Sequence, residues 1–127
     1  MSEPTRLLII DDEEVALRNL VHVFDREPCE VTACGSGAAG LAALERQRFD
    51  VVLTDLRMEG VDGMAVLERV RTQSPDTQVI VVTGHATIDS AIEAMKRGAY
   101  HYVTKPYRLD EVREVVRGAG ELARLKR

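Results

Sequence analysis

Four apolar runs in this chain close on residues that can do chemistry. LLIIDD (7–12) ends on the paired acids Asp11 and Asp12, VVLTD (51–55) on Asp55, VIVVT (79–83) on Thr83, and HYVTK (101–105) on Lys105. A carboxylate is costly to bury among apolar side chains, so an acid that closes a buried run belongs at an edge where another group meets it. Crowded together, three carboxylates repel, and at neutral pH either one takes a proton or a cation sits among them. An all-oxygen cluster open to water suits a hard divalent ion, Mg2+ with several waters retained. A carboxylate is also a possible nucleophile, and such an ion neutralises an incoming phosphoryl group and positions it for in-line attack. Asp55 is then the candidate phosphoacceptor. Lys105 supplies a point positive charge to the phosphoryl oxygens, and the Thr83 hydroxyl donates a hydrogen bond to them.

These groups need a scaffold that brings strand ends together. LLIID is followed by EEVALRNLVHVFDRE, in which Ala16, Leu17, Leu20, Val23 and Phe24 fall at helical spacing. EVTAC (30–34) reads as a second strand, and GSGAAGLAALERQ as a helix capped by Ser36 with Ala39, Leu41 and Leu44 available for burial. DVVLTD (50–55) is the third strand; after the turn at RMEGVDG, Met64, Leu67 and Val70 mark a helix ending before Ser74-Pro75. QVIVVTG (78–84) is the fourth, followed by a helical stripe of Ile88, Ala91, Ile92 and Met95 closed by Gly98. YHYVT (100–104) is the fifth, with Leu109, Val112, Val116 and Ala119 on a last helix whose end Gly118 and Gly120 weaken. Met64 and Met95, both in helical stripes, are expected in the core. ELARLKR (121–127) either extends the last helix or opens a linker.

Strands and helices alternating at short connections predict a doubly wound α/β fold, a parallel sheet covered on both faces. Sites in such sheets form beyond the carboxyl ends of the strands, where the acids, Thr83 and Lys105 converge on one edge.

The 127 residues fit one domain, and their 45% hydrophobic and 30% charged composition is that of a folded, water-exposed protein. No apolar run approaches the roughly 20 residues that cross a bilayer. The net charge of −4 provides no basic footprint for nucleic acid or an anionic membrane, so neither is an expected partner. MSEPTR has no secretion-signal pattern, which predicts a cytoplasmic, reducing location. Cys29 and Cys34 flank an extended stretch that separates them by about 16 Å, too far for a disulfide, and two buried, reduced thiols are expected. His22, His85 and His101 lack metal-ligand spacing.

Taken singly, each motif has an ordinary reading. Asp11 and Asp12 could serve a helix N-terminus, Asp55 and Lys105-Pro106 could form turns, Thr83 could close a strand, and Tyr102 could lie on a strand surface. Their combination favours a site. DD at 11 and 12, LTDLRM at 53–58, TGH at 83–85 and KP at 105–106, in this order and spacing, resemble the receiver domain of bacterial two-component response regulators, over about Arg6 to Ala119.

The resemblance implies a five-stranded parallel sheet in the flavodoxin-like order 2-1-3-4-5 with five helices, and a single receiver domain over 1–127, with about 120–127 opening a linker to an output domain. It implies that Asp55 accepts a phosphoryl group from a sensor histidine kinase. Asp12, Asp55 and the backbone carbonyl of Arg57 would hold Mg2+, with Asp11 acting through water, and the Lys105-Pro106 peptide would be cis. Tyr102 would be a switch residue. Arg57 and His85 lie two residues beyond Asp55 and Thr83, positions from which their side chains would flank the phosphoryl group and tune its lifetime. The face made by the fourth helix, fifth strand and fifth helix, offering Lys96, Arg97, His101 and Arg108, would mediate homodimerisation or contact an output domain.

GHATIDSAIEAMKRGAYHYVTKPY (84–107) is similar to the nitrogen-regulator class, whose full-length members carry ATPase and DNA-binding domains and regulate transcription. One departure is Glu59, where the family commonly has proline. The expected protein is a switch that assists its own phosphorylation and dephosphorylation, without turning over an external metabolite. Two alternatives stand beside it. A receiver-like module could bind partners without phosphorylation, and an aspartyl-phosphate phosphatase of the haloacid dehalogenase type would place a second Asp where this chain has Arg57.

Overall fold

In the computed structural model, which describes residues 3–127, the apolar runs become the strands β1 (Thr5–Ile10), β2 (Cys29–Cys34), β3 (Val51–Thr54), β4 (Gln78–Thr83) and β5 (His101–Thr104). The helices α1 (Glu14–Val23), α2 (Gly37–Arg46), α3 (Gly63–Gln73), α4 (Ile88–Lys96) and α5 (Leu109–Lys126) alternate with them. Every strand pair is parallel and the order is β2-β1-β3-β4-β5, as expected.

The three inner strands carry unbroken apolar runs, Leu7 to Ile10, Val51 to Leu53 and Val79 to Val82, because both of their faces are covered. Leu8, Ile10, Val52, Val79 and Val81 pack beneath α2, α3 and α4 with Ala43, Val66, Leu67, Val70 and Ala94. Leu7, Ile9, Val51, Leu53, Ile80 and Val82 face the opposite layer, where Leu20 and Val23 of α1 meet Val112, Val116 and Ala119 of α5. On α2 the layer is closed by Gly37, Gly40 and Ala43, and Ala39 faces solvent instead. A side chain at Gly40 would overlap Ile10, since an added Cβ would lie 2.3 Å from its Cδ1.

Two sequence expectations change in α4 and α5. The α4 stripe is helical as predicted, yet it points outward: Ile88 is 80%, Ile92 50% and Met95 46% exposed, while Ala94 is the helix's buried residue. Periodicity shows which side chains share a face but not which face meets the sheet. Small Ala94 lets α4 lie close, and Met95, expected in the core, is on the surface. In α5 the helix continues through Gly118 and Gly120 to Lys126. These glycines serve packing, because an added Cβ would lie 2.7 Å from the Tyr100 hydroxyl at Gly118 and 3.1 Å from Thr5 Oγ1 at Gly120.

The last turn of α5 is tied to the amino edge of the sheet. Arg124 donates to Thr5 Oγ1 at 3.0 Å, and Arg127 lies 3.1 Å from the buried Asp50 carboxylate. Both cysteines are free, as expected, but only Cys34 is buried; Cys29 is half-buried because it opens an edge strand.

The packing predicts that Leu67→Ala, at a position with no exposure, lowers the free energy of unfolding by about 2–5 kcal/mol. Ile92→Ser, on the exposed stripe, should change it by less than about 1 kcal/mol. Urea unfolding checks both, and comparable losses would place the α4 stripe in the core after all.

Candidate functional site

The strand ladder continues past β1 and β3 and sets the acids in place. The Asp11 amide donates to the Cys34 carbonyl at 3.2 Å, and the Asp55 amide to the Ile10 carbonyl at 3.0 Å. Beyond β5, the Lys105 amide donates to the Thr83 carbonyl at 2.8 Å, and the Lys105-Pro106 peptide is cis. The Lys105 ammonium reaches across and lies 3.0 Å from Asp11 Oδ2 and 3.3 Å from Asp55 Oδ2. Asp11 is 1% and Asp55 8% exposed, so this cation bridges two largely dry carboxylates.

The remaining carboxylate oxygens are held by backbone amides. Asp55 Oδ1 accepts from Leu56 at 2.6 Å and, at 3.4 Å, from Arg57. Asp11 Oδ1 accepts from the Glu13 amide at 3.0 Å. Asp12 is exposed, and its Oδ2 accepts from the Glu59 amide at 3.0 Å. The loop after Asp55 packs tightly enough that Gly63 has no room for a side chain: an added Cβ would sit 2.2 Å from the Asp55 carbonyl oxygen.

Burial holds the Asp11 carboxyl above the usual carboxylate range, outweighing the Glu13 amide and Lys105 that favour its charged form; the Asp55 charge adds to the rise. Burial alone would make Lys105 easier to deprotonate, but the hydrogen bond and charge of Asp11, with the charge of Asp55, outweigh it and raise its pKa. The two directions agree. A pair of acids sharing one ammonium has a surplus of negative charge and favours one more positive charge.

The other expected residues line the same edge at greater remove. Thr83 is fully buried, and its hydroxyl accepts from the His85 amide at 3.0 Å and makes no hydrogen bond with Asp55. Arg57 and His85 side chains are exposed on the rim. Tyr102 is half-buried: its ring packs on the layer under α2, α3 and α4, and its hydroxyl shares a 2.7 Å hydrogen bond with Ser90. Lys96 and His101 are exposed. Arg97 is exposed as well, pairing with Glu93 at 2.9 Å and with Glu68 of α3 at 3.5 Å, while Arg108 pairs with Asp110 at 3.2 Å. Among the described residues no three acidic, imidazole or thiolate side chains stand close enough to cage a metal ion. None of their helices is long and apolar enough to cross a membrane.

Sequence reading missed the Ser90 hydroxyl and the Glu59 amide. Ser90 forms a capping box with Thr87 at the start of α4, and the Thr87-Ser90 spacing was a signal for it. The Glu59 amide is a backbone donor with no residue-type signature.

The raised Asp11 titration has a consequence for stability. A carboxyl that titrates higher in the folded chain contributes fully below its ordinary value of 3.8 and loses that contribution as pH rises through the raised value. Asp11→Asn should therefore gain stability relative to the parent between about pH 3 and neutrality. Urea unfolding across that range checks it, and a pH-independent difference would contradict it. Lys105 falls outside this window, because its contribution is full below its ordinary 10.5 and is lost only in alkali.

The family model for the response regulator receiver domain matches residues 7–117. Regulatory protein AtoC of Escherichia coli is 35% identical over 127 residues, covering 100% of this chain and 28% of that protein. Alginate biosynthesis transcriptional regulatory protein AlgB of Pseudomonas aeruginosa is 37% identical over 108 residues, covering 85% and 24%. The chain thus spans about a quarter of the length of these relatives. Among solved structures, a response regulator receiver domain protein from Clostridium thermocellum has a TM-score of 0.90 at 32% identity, covering 97% of this chain and 99% of that one. NtrX from Brucella abortus has a TM-score of 0.89 at 29% identity, covering 97% and 28%. Together with the acid pair, the bridging lysine and the sheet order, these matches show that the chain belongs to the response regulator receiver domains of two-component systems, with its likeness in the nitrogen-regulator class.

Proposed function

We propose that this domain is a phosphorylation-driven switch in which Asp55 takes a phosphoryl group from a sensor histidine kinase. The observation that carries the reading is the Lys105 ammonium bridging Asp11 and Asp55 at the carboxyl edge of the sheet. An Asp55 carboxylate oxygen attacks phosphorus, the P–N bond of the donor phosphohistidine breaks, and the imidazole leaves with the bonding pair. Lys105 then meets the phosphoryl oxygens as a point charge. Thr83 accepts from the His85 amide, so its own hydroxyl proton remains available to a new oxygen acceptor.

The donor set fits Mg2+. Asp12 and Asp55 would be its direct carboxylate ligands, with the Arg57 backbone carbonyl as a third and Asp11 acting through water; two carboxylates and retained waters suit this ion better than a closed cage. Asp12 Oδ1 has no donor among the described residues, while Oδ2 is held by the Glu59 amide. When bound, the ion neutralises charge on the transferring phosphoryl group.

A dianionic group on Asp55 draws Thr83 toward it and disturbs the loop that leads into α4. Tyr102, whose hydroxyl now bonds Ser90 on the first turn of α4, is the switch residue that follows. Arg57 and His85 sit on the exposed rim, where they tune access of water to the phosphoryl group. The output is the face of α4, β5 and α5, where exposed Ile88, Ile92 and Met95 form an apolar stripe beside Lys96 and His101. Contiguous exposed apolar side chains mark association surfaces, and this stripe supports self-association. In a longer chain the same face would govern ATPase and DNA-binding output domains, placing the protein in cytoplasmic transcriptional control.

Incubation with Mg2+ and acetyl phosphate should add one hydroxylamine-labile phosphoryl group by intact mass, absent without Mg2+ and in Asp55→Asn. The adduct on an Arg57→Ala, His85→Ala double variant should decay at a changed rate; an unchanged rate would remove these residues from lifetime tuning. No adduct from this donor or from a panel of kinases would favour the phosphorylation-independent module. Sedimentation should show association on phosphorylation that Ile92→Ser weakens, and equal association of the variant would move the interface elsewhere.

A further inference from the structure

Asp12 belongs to the loop after β1, yet its carboxylate is tied to a residue 47 positions away: Oδ2 accepts the Glu59 amide at 3.0 Å. Position 59 is where the loop departs from the receiver resemblance, which commonly has proline there. Proline has no amide hydrogen, so this bond exists only because residue 59 is something else. The frame around it is firm. Met58 is 9% exposed and anchors the loop from below, Gly60 turns the chain at φ +79°, the Asp62 side chain caps α3 through the Ala65 amide at 2.9 Å, and Gly63 abuts the Asp55 carbonyl. The Glu59 side chain is exposed, and no hydrogen bond or ion pair to its carboxylate is found among the described residues.

We infer that the backbone amide of Glu59 is a positioning donor for the Mg2+ ligand Asp12. By holding Oδ2 it would leave Oδ1 as the oxygen free to ligate, and it joins the loop that carries Asp12 to the loop that follows Asp55. The inference rests on the reading of Asp12 as a metal ligand. Partners that orient a ligand from outside the coordination sphere change metal affinity by about 10–100-fold when removed. What counts at position 59 is the N–H, and the side chain is incidental.

Glu59→Pro and Glu59→Ala separate the two. Both remove the carboxylate, and only the alanine variant retains the donor. Mn2+ binding followed by electron paramagnetic resonance should be about tenfold weaker in Glu59→Pro than in Glu59→Ala. Equal affinities, or tighter binding by the proline variant, would overturn the inference. A second measurement needs no proline: the Glu59 amide proton should exchange with solvent faster in Asp12→Ala than in the parent, and equal protection would overturn it as well. The metal reading fails separately, if the parent chain binds no Mn2+ or if Asp12→Ala binds it as well as the parent does; in that case the inference fails with it.

Discussion

Everything at the carboxyl edge depends on one ammonium shared by two carboxylates that have little access to water. Asp11 follows β1 and Asp55 follows β3, neighbours in the sheet, and two carboxylates this close and this buried repel each other unless a cation stands between them. That cation comes from the end of β5, with β4 lying between β5 and β3. The long stem of Lys105 spans the gap, so sheet order and side-chain length are matched to one another. A buried ion cluster of this kind is weak evidence for stability, because apolar residues of similar volume often serve as well or better. Its retention at a strand edge points to chemistry.

Much of this was legible in the chain, and the reason is physical. Inner parallel strands are covered on both faces, so Leu7 to Ile10, Val51 to Leu53 and Val79 to Val82 read as unbroken apolar runs, and the polar residue ending each one stands out. The meeting of Asp11, Asp55 and Lys105 followed from the strand ends. Less legible were features that depend on which neighbour a face meets. The α4 stripe has the period of a buried face and is not one, because Ala94 on another side makes the close contact. Gly118 and Gly120 read as helix weakeners, but they make room for Tyr100 and Thr5. Arg97 read as exposed and is, but its pairing with Glu68 on α3 depends on the folded neighbour. Least legible of all were the backbone donors, since every residue but proline has an amide and its aim is set only by the folded loop.

The α4 region combines several modest interactions with little burial. Its first turn is held by the Thr87-Ser90 capping box, its outer side is apolar and exposed, and its link to β5 is the hydroxyl pair of Ser90 and Tyr102. A capping interaction is worth about 1 kcal/mol and a neutral hydrogen bond a similar amount. The two layers beneath the inner strands, by contrast, bury whole aliphatic side chains at about 1.5–3 kcal/mol each. A local rearrangement at the edge would therefore displace α4 and Tyr102 before it disturbed the sheet. This difference in local stability is a physical basis for the proposed switch, with the scaffold staying fixed.

The contacts of Arg124 with Thr5 and of Arg127 with Asp50 bring the end of α5 against the residue that opens β1 and the residue before β3. The backbone therefore enters and leaves the domain at one pole, with Asp11, Asp55 and Lys105 at the other. A module of this shape resembles a plug with both leads on the same side. It can be spliced into a surface loop of a host protein without stretching the host's chain, and the two ends can be joined to make a circular permutant opened elsewhere.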